Sequence, residues 1–382
     1  MPKDISKEKS IRKAKTTVEL VICAVILGTS VFLGKSCFDH VNVVPSTNKE
    51  ATKIDEIEIP DPSAAVDPNK IIFTPSPIET KRKFSGNLIL VNNDNQYFST
   101  DSENLVSIMT KNDEAGRSTF TAVDYDYTIL EPAYEPLAKM VDDWYEIYNN
   151  NTLIVYGSYR TKEFQQQLYD QFTANTAGDG EAPIVALPGF SEHETGLAID
   201  FSETESYDYQ GTGDFQWLNN NCHKYGFILR YTEAKEAITE YRSEPWHFRY
   251  VGVPHAKYMT ENNLCLEEYI ELLRNAYNYN DEHLKITDEY GAAYEIYFYP
   301  SDDGAEFTNV PVPSGVKYEI SGNNVDGFIV TVHVDEKTAI GSENLSFTTS
   351  PYSFSATTTA DSSAETTADT TTDTTTETTV AY

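Results

Sequence analysis

The sequence predicts an α+β fold for the central part of the chain. Helical and strand-like spacings of apolar residues alternate there without a regular strand–helix–strand repeat, which argues against a doubly wound parallel sheet. From about residue 282 the pattern changes to short alternating apolar runs separated by Gly, Pro, Asn and Asp, which is typical of all-β structure. We therefore predict a compact α+β domain over residues 85–278 and a small all-β module over 279–350.

Apolar periodicity places eight elements in the α+β domain. In chain order, they are a strand at 87–91, a helix of about four turns after Pro136, a strand at 153–156, a helix at 161–172, a strand at 196–201, a helix at 213–225, and strands near Phe227 and Trp246. The module adds strands at 293–299 and 327–333. Its function is not evident from the sequence, and a packing or positioning role is favoured over wall or partner binding.

The start of the chain combines a basic stretch with an apolar one. Lysines and arginines cluster in residues 1–15, and the apolar run from 18 to 33 contains one charged residue, Glu19. At about 1.5 Å rise per residue, a helix of this size just crosses a hydrocarbon core of about 30 Å. We expect a transmembrane anchor over 16–36 with residues 1–15 in the cytoplasm, because basic flanks remain inside. A cleaved signal peptide is the alternative, but no small-x-small cleavage site follows.

Composition indicates the character of the remaining segments and limits the classes of partner. Residues 37–84 are rich in Pro, Asp, Lys and Thr without apolar periodicity and are predicted to be an extracellular stalk. Residues 351–382 contain a tract of Thr, Ser, Ala, Asp and Glu that predicts a disordered tail. A net charge of -32 disfavours nucleic acid as a partner. Cys222 and Cys265 could pair in an exported chain, a question that the sequence leaves open, and Cys37 is a poor match to a lipidation site.

Two short motifs contain the residue types of a hydrolytic zinc site. Residues 191–200 read Ser-Glu-His-Glu-Thr-Gly-Leu-Ala-Ile-Asp, and residues 244–247 read Glu-Pro-Trp-His. Catalytic zinc usually has three protein ligands, and a nearby carboxylate that does not bind the metal moves the proton of the attacking water. His193, Asp200 and His247 provide two imidazoles and a carboxylate. Glu244 is the natural base, because Pro245 constrains it too strongly for a third ligand.

Strand alternation supports Asp200 as a candidate ligand. On the strand containing Asp200, residues 197, 199 and 201 are apolar and are expected to face the core, which leaves Asp200 on the other face. An acid there is costly unless it binds a metal or pairs, and an ion pair with an Arg is the structural alternative. Glu194 is interpreted as a solvated side chain, because Leu197 occupies the second histidine position of the helical metalloprotease pattern. Histidines 40, 223, 255, 283 and 333 are interpreted as structural.

The chain resembles the zinc D-alanyl-D-alanine carboxypeptidases. The resemblance covers about residues 85 to 258, and its motifs are Ser158-Tyr-Arg160, Gln165 with Leu168-Tyr169, Pro188-Gly189, Ser191-x-His-x-x-Gly-x-Ala-x-Asp200, Tyr225-Gly226-Phe227 and Glu244-Pro-Trp-His247. The subgroup that it is similar to includes membrane-anchored vancomycin-resistance carboxypeptidases and L,D-carboxypeptidases of Gram-positive walls. The resemblance implies a compact, hedgehog-like α+β domain whose small antiparallel sheet carries the zinc ligands.

The resemblance also implies a role for each motif residue. By it, zinc is held by His193, Asp200 and His247, Glu244 is the catalytic acid and base, and Arg160 contacts the substrate and stabilises the oxyanion. Gln165 and Ser191 match positions that line the substrate pocket, and the loop 173–187 is where selectivity is expected to vary.

The expected reaction is removal of the terminal D-alanine from peptidoglycan stem peptides on the outer face of the membrane. Cleavage at an L,D bond or inside the stem would use the same catalytic residues and stays open as an alternative. A non-catalytic, zinc-containing cell-wall binding module is the alternative from a different functional class. Such a module would keep the ligands and lose the base or the oxyanion residue, whereas Glu244 and Arg160 are both present.

Overall fold

The computed structural model describes residues 71–98, 104–176, 185–206 and 208–337. The helices within these ranges are α1 (Ile108–Ala115), α2 (Glu131–Tyr148), α3 (Lys162–Thr176), α4 (Gln216–Asn221), α5 (Glu236–Thr239), α6 (Val253–Glu261) and α7 (Leu266–Ala276). The strands are β1 (Phe73–Glu79), β2 (Leu105–Ser107), β3 (Thr121–Ala122), β4 (Thr128–Leu130), β5 (Leu153–Gly157), β6 (Ala198–Glu203), β7 (Phe227–Tyr231), β8 (Glu244–Tyr250), β9 (Leu284–Thr287), β10 (Ala293–Pro300), β11 (Phe307–Pro313), β12 (Val316–Gly322) and β13 (Gly327–Lys337).

The central sheet carries the two predicted strand ligands. Its described strands have the order β3-β5-β6-β8-β7, and every pairing except the parallel β3–β5 pair is antiparallel. Asp200 on β6 is directly opposite His247 on β8 and Gly157 on β5. The predicted α+β class with a small antiparallel sheet is therefore confirmed.

One face of this sheet packs on α2 to form the main core. This core contains Phe248 of β8 together with Leu197, Ile199 and Phe201, which face the same side of the sheet as the alternation predicted. Trp144 of α2 is fully buried in the same cluster. The opposite face of β6 and β8 is left for Asp200 and His247, so burial of the apolar side fixes where the polar side chains lie.

Helix α2 begins earlier than predicted. It starts at Glu131, with Pro132 in its first turn and Pro136 inside it. The expectation of a start after Pro136 is wrong, because Pro136 can remove only the hydrogen bond to the carbonyl of Pro132, close to the helix start. The helix predicted at 213–225 consists of α4 with 3-10 turns at Gly213–Phe215 and Cys222–Tyr225 on either side.

The C-terminal strands form a sheet of their own, in the order β12-β13-β10-β9. Beside it, β1 pairs antiparallel with β11. The predicted stalk over 37–84 therefore does not continue to its predicted end, because Phe73–Glu79 forms a strand of the module. Prolines 75 and 77 within β1 obscured this strand in the sequence, since proline is found only at sheet edges and bulges.

The module and the α+β domain share an apolar cluster. Leu266, Leu273 and Ile228 pack in this cluster with Ile296 and Ile329 of the module, across the predicted boundary at 278/279. Residues 87–91 are largely buried but do not form the predicted strand. Their backbone bonds instead to the turn after β12, where the Leu90 amide donates to the Asn323 carbonyl at 3.1 Å.

Cys222 and Cys265 are both buried free thiols. No helix in the described ranges is long and apolar enough to cross a membrane. The anchor predicted at 16–36, the first part of the stalk and the tail at 351–382 lie outside the described residues.

Candidate metal centre

Three side chains from separate sequence positions converge on one point. His193 lies in the 3-10 turn Glu192–Thr195, which leads through Gly196 into β6. Its Nε2 is 3.0 Å from Oδ2 of Asp200, and Nδ1 of His247 is 3.0 Å from Oδ1 of the same carboxylate. One ligand atom from each residue lies within 4.8 Å of the others. This spacing fits a single metal ion.

Gly196 makes the turn into β6 sterically feasible. Its φ of +70° lies in the left-handed region, and a Cβ at this position would approach Leu130 Cγ to 3.1 Å. The turn also places the backbone of His193 against the end of β5, because the Arg160 amide donates to the His193 carbonyl at 3.1 Å. A residue with a side chain at 196 would shift the first ligand relative to the second.

The two imidazoles are held in tautomers that leave one nitrogen each for a metal. His193 Nδ1 lies 2.9 Å from the Ser158 carbonyl oxygen, which can only accept, so Nδ1 carries the proton and Nε2 has the free lone pair. His247 Nε2 lies 3.4 Å from Oε2 of Glu192, which leaves Nδ1 directed toward Asp200. Metal-binding histidines usually have such an outer partner, which fixes the ring.

The carboxylate of Asp200 has an oxygen that the described residues leave without a hydrogen bond. Oδ1 is buried and accepts none, although His247 Nδ1 is 3.0 Å away, because the contact lacks hydrogen-bond geometry. A buried anionic oxygen without a donor is costly. The orphaned oxygen and the N, O, N donor set therefore fit a zinc ion, which accepts these donors.

The two histidines of the site have different pKa values. Burial, reinforced by the charge of Arg160, lowers the pKa of His193 to about 4, so this imidazole is neutral as metal binding requires. Burial also disfavours charge on His247, but contacts with Asp200 and Glu192 dominate and raise its pKa to about 9. The pKa of Asp200 lies well below its usual range, because the two histidines outweigh its burial.

Glu244 lies beside the ligands without belonging to their set. It begins β8, and its Oε2 is 3.5 Å from Nδ1 of His247. Burial raises the pKa of Glu244 to about 7, although the charge of His247 opposes this rise. A carboxyl group with that pKa can both accept and donate a proton near neutral pH.

Arg160 connects the ligand cluster to an open groove. Its Nη2 donates to Oδ2 of Asp200 at 3.2 Å, and its side chain is 22% exposed. The groove has a volume of about 990 Å³ and is lined by Arg160, Asp200 and aromatic side chains that include Tyr156, Phe164 and Trp246. A substrate in this groove would reach the metal site and a guanidinium together.

Comparisons with known proteins agree with this geometry. The VanY family model, D-alanyl-D-alanine carboxypeptidase, matches residues 129–253. A D-alanyl-D-alanine carboxypeptidase from Enterococcus faecium is 33% identical over 256 residues, which are 67% of this chain and 78% of that protein. The chain belongs to this carboxypeptidase family.

Two further relatives extend the comparison. The bifunctional D-Ala-D-Ala dipeptidase and carboxypeptidase VanXYC of Enterococcus gallinarum is 38% identical over 122 residues, covering 30% of this chain and 64% of that protein. The crystal structure of the D,D-dipeptidase VanXYg, in complex with a D-Ala-D-Ala phosphinate analogue, aligns with a TM-score of 0.60 at 30% identity. It covers 68% of this chain and 99% of that one. The family is zinc-dependent, and His193, Asp200 and His247 form a possible site for the metal.

The two predicted pocket residues of this carboxypeptidase lie near the site but not on the groove wall. In the described part of the chain, neither Gln165 nor Ser191 lines the groove. Gln165 is 1% exposed and donates from Nε2 to the Ala186 carbonyl at 2.8 Å. Ser191 is buried and precedes the turn that carries His193. Their substrate-binding roles stay predictions.

In the first motif, the interpretation of Glu194 was wrong and Glu192 was missed. Glu194 was expected to be solvated, but it is buried, and its Oε1 accepts from the Gly189 amide at 2.6 Å, because the 3-10 turn directs it inward. Glu192 was not singled out, yet its side chain is fully buried against His247. The sequence did contain a signal for a buried acid, because arginines 230 and 249 lie in or beside predicted strands. A charged residue that is buried there needs a partner of opposite charge.

Proposed function

We propose that His193, Asp200 and His247 hold the zinc ion of this carboxypeptidase, and that Glu244 moves the protons as the enzyme removes the terminal D-alanine of peptidoglycan stem peptides. The observation that carries the proposal is the position of Glu244. Its carboxylate is 3.5 Å from a nitrogen of the ligand set but outside that set, with a pKa of about 7. A non-catalytic zinc module has no need of such a group.

Bound zinc would lower the pKa of a water molecule toward about 7 and polarise the scissile carbonyl. In the proposed reaction, Oε2 of Glu244 accepts the proton of the attacking water and later returns it to the nitrogen of the departing D-alanine. Arg160 faces the groove and donates to Asp200, so its remaining N–H groups are available for the negative oxygen that develops during attack.

The test is the substitution Glu244→Gln, which keeps the size of the side chain and removes its basicity. We expect D-alanine release from a defined pentapeptide stem to fall by about 10²–10⁴. Zinc content, measured by atomic emission, should stay at the level of the parent protein. Glu233→Gln is the matched control, because Glu233 is exposed in a 3-10 turn near β8. Unchanged D-alanine release by Glu244→Gln would refute the mechanism, whereas loss of zinc as well would make Glu244 a ligand.

The same residues would serve cleavage of neighbouring bonds, so the products decide the specificity. Mass spectrometry of defined tetrapeptide and pentapeptide stems separates the cases. Loss of one D-alanine from the pentapeptide alone supports D,D-carboxypeptidase activity. Loss of D-alanine from the tetrapeptide indicates the L,D activity, and internal fragments indicate an endopeptidase.

We also propose that residues 16–36 anchor the protein in the cell membrane, with the catalytic domain on the outer face. The proposal is supported by the basic cluster in residues 1–15, directly before the apolar run, and by the location of peptidoglycan outside the membrane. Protease added to intact protoplasts should release a fragment of catalytic-domain size. Complete protection of that domain from protease would contradict this orientation.

A further inference from the structure

A group of four charged residues is buried behind the metal site. This buried ion cluster consists of Glu192, Arg230, Arg249 and Glu267. Oε1 of Glu192 accepts from Arg230 Nε at 2.8 Å and from Arg249 Nη1 at 2.7 Å. The side chains of Glu192 and both arginines are 0% exposed, and that of Glu267 is 14% exposed.

The cluster fixes Glu192 from several directions. Arg230 forms a two-pronged pair with Glu267 at the start of α7, with distances of 2.9 and 2.7 Å. Arg249 donates from Nη2 to the carbonyls of Asn87 and Ile89 at 3.0 and 2.8 Å. Each guanidinium is therefore oriented by fixed acceptors on its far side, and Glu192 cannot rotate without breaking charged hydrogen bonds.

Only one atom of Glu192 points out of the cluster. Oε2 faces Nε2 of His247 at 3.4 Å. The two positive and two negative charges of the cluster cancel, so no ionised partner from elsewhere is needed to neutralise it. Because a buried ion pair often contributes no more stability than apolar residues of similar volume, the contact with His247 indicates what the cluster is for.

We propose that Glu192 is a positioning residue that holds His247 in the ring orientation and tautomer needed to bind zinc, and that the buried ion cluster holds Glu192. The inference rests on the proposed role of His247 as a zinc ligand. Since Glu192 directly precedes His193, one 3-10 turn carries the first ligand and the group that orients another. The outer anchors, Glu267, Asn87 and Ile89, lie outside the residues 129–253 that match the family model.

The experiment measures zinc affinity by competition with a chromophoric chelator, so it does not depend on the peptide substrate. In Glu192→Gln the two arginines would hold the amide oxygen, so the amide NH2 would face Nε2 of His247 and the ring would lose its acceptor. The variant should therefore weaken zinc binding by about 10- to 100-fold, the usual effect of losing an outer partner of a metal ligand. Glu194→Gln is the matched control, because Glu194 lies in the same turn and is also buried but bonds to the Gly189 amide instead of a ligand. Its zinc affinity should equal that of the parent.

A double variant separates positioning from charge balance. Glu192→Gln/Arg249→Gln removes one negative and one positive charge together and leaves the pair of Arg230 with Glu267. If Glu192 positions His247, the double variant regains thermal stability that the single variant lost, while its zinc affinity stays low. Recovery of parental zinc affinity in the double variant would show that Glu192 only neutralises Arg249 and would overturn the inference.

If Glu192→Gln does not fold, the comparison of the double variant with Glu194→Gln decides the question. If Glu192→Gln folds and binds zinc as tightly as the parent, the inference is wrong although the zinc site stands. Failure of the parent protein itself to bind zinc would instead refute the proposed function.

Discussion

Gly157→Ala is expected to disable the metal site through a single methyl group. Gly157 ends β5 directly opposite Asp200 on β6, at a point where the pairing of the two strands is irregular. The backbone at Gly157 does not have the left-handed φ that favours glycine. The effect of the substitution is therefore steric, and it falls on the carboxylate that is proposed to bind zinc.

The size of the clash follows from three distances. A Cβ at position 157 would lie 2.2 Å from Oδ2, 2.7 Å from Cγ and 2.8 Å from Cβ of Asp200, whereas ordinary contacts begin near 3.4 Å. The carboxylate would have to move by about 1 Å, and forcing an extra methyl into a packed site costs about 1–3 kcal/mol. His193 and Arg160 both contact Oδ2 and resist this movement. If all of this free energy opposes zinc binding, the zinc affinity decreases by about 5- to 150-fold.

Two measurements test this reasoning. Zinc affinity is obtained by chelator competition, and D-alanine release is measured at saturating zinc. Gly304→Ala is the matched control, because a Cβ there would meet only Asp302 Oδ1, at 3.5 Å. Parental zinc affinity in Gly157→Ala would show that Asp200 can move without loss of the metal, and the assignment of Asp200 as a ligand would then be refuted.

Two further predictions concern the charges around the ligands. Arg160→Met should lower kcat for D-alanine release, measured at saturating zinc, by about 10²–10³ through loss of oxyanion stabilisation; a parental kcat would contradict this role. Because the pKa of His247 is raised to about 9, zinc binding at pH 7 should release about one proton from this residue. The release should vanish as pH rises through 9, and calorimetry in buffers of different ionisation enthalpy measures it. A pH-independent proton count would contradict the assignment.

The convergence of His193, Asp200 and His247 could be predicted because two independent constraints on the sequence agree. Zinc restricts the residue types, and strand alternation determines which positions share a face. The apolar residues beside Asp200 and His247 identified the core side, so the polar side followed. Glu244 was predicted to be the base on a separate ground, since Pro245 constrains it too strongly to be the third ligand, and its base role stays a prediction.

Features that depend on distant pairing could not be predicted from local patterns. Phe73–Glu79 becomes a strand because it pairs with β11, more than 200 residues later in the chain, and its local composition resembles a linker. Residues 87–91 have the composition of a strand but bond to a turn near Asn323. The partners of Glu192 come from β7 and β8, whose pairing brings Arg230 and Arg249 to the same carboxylate.

Burial and the charged neighbours of the two histidines explain why these proposed ligands differ in their affinity for protons. His193 is buried beside the charge of Arg160 and donates only to a neutral backbone carbonyl, so its pKa falls to about 4. His247 lies between carboxylates, with Glu192 at Nε2 and Asp200 and Glu244 near Nδ1, and its pKa rises to about 9. A more basic imidazole donates more strongly to a metal once its proton has left. The competition between protons and zinc is therefore concentrated at His247, and the carboxylate that makes this ligand strong also makes zinc binding sensitive to pH.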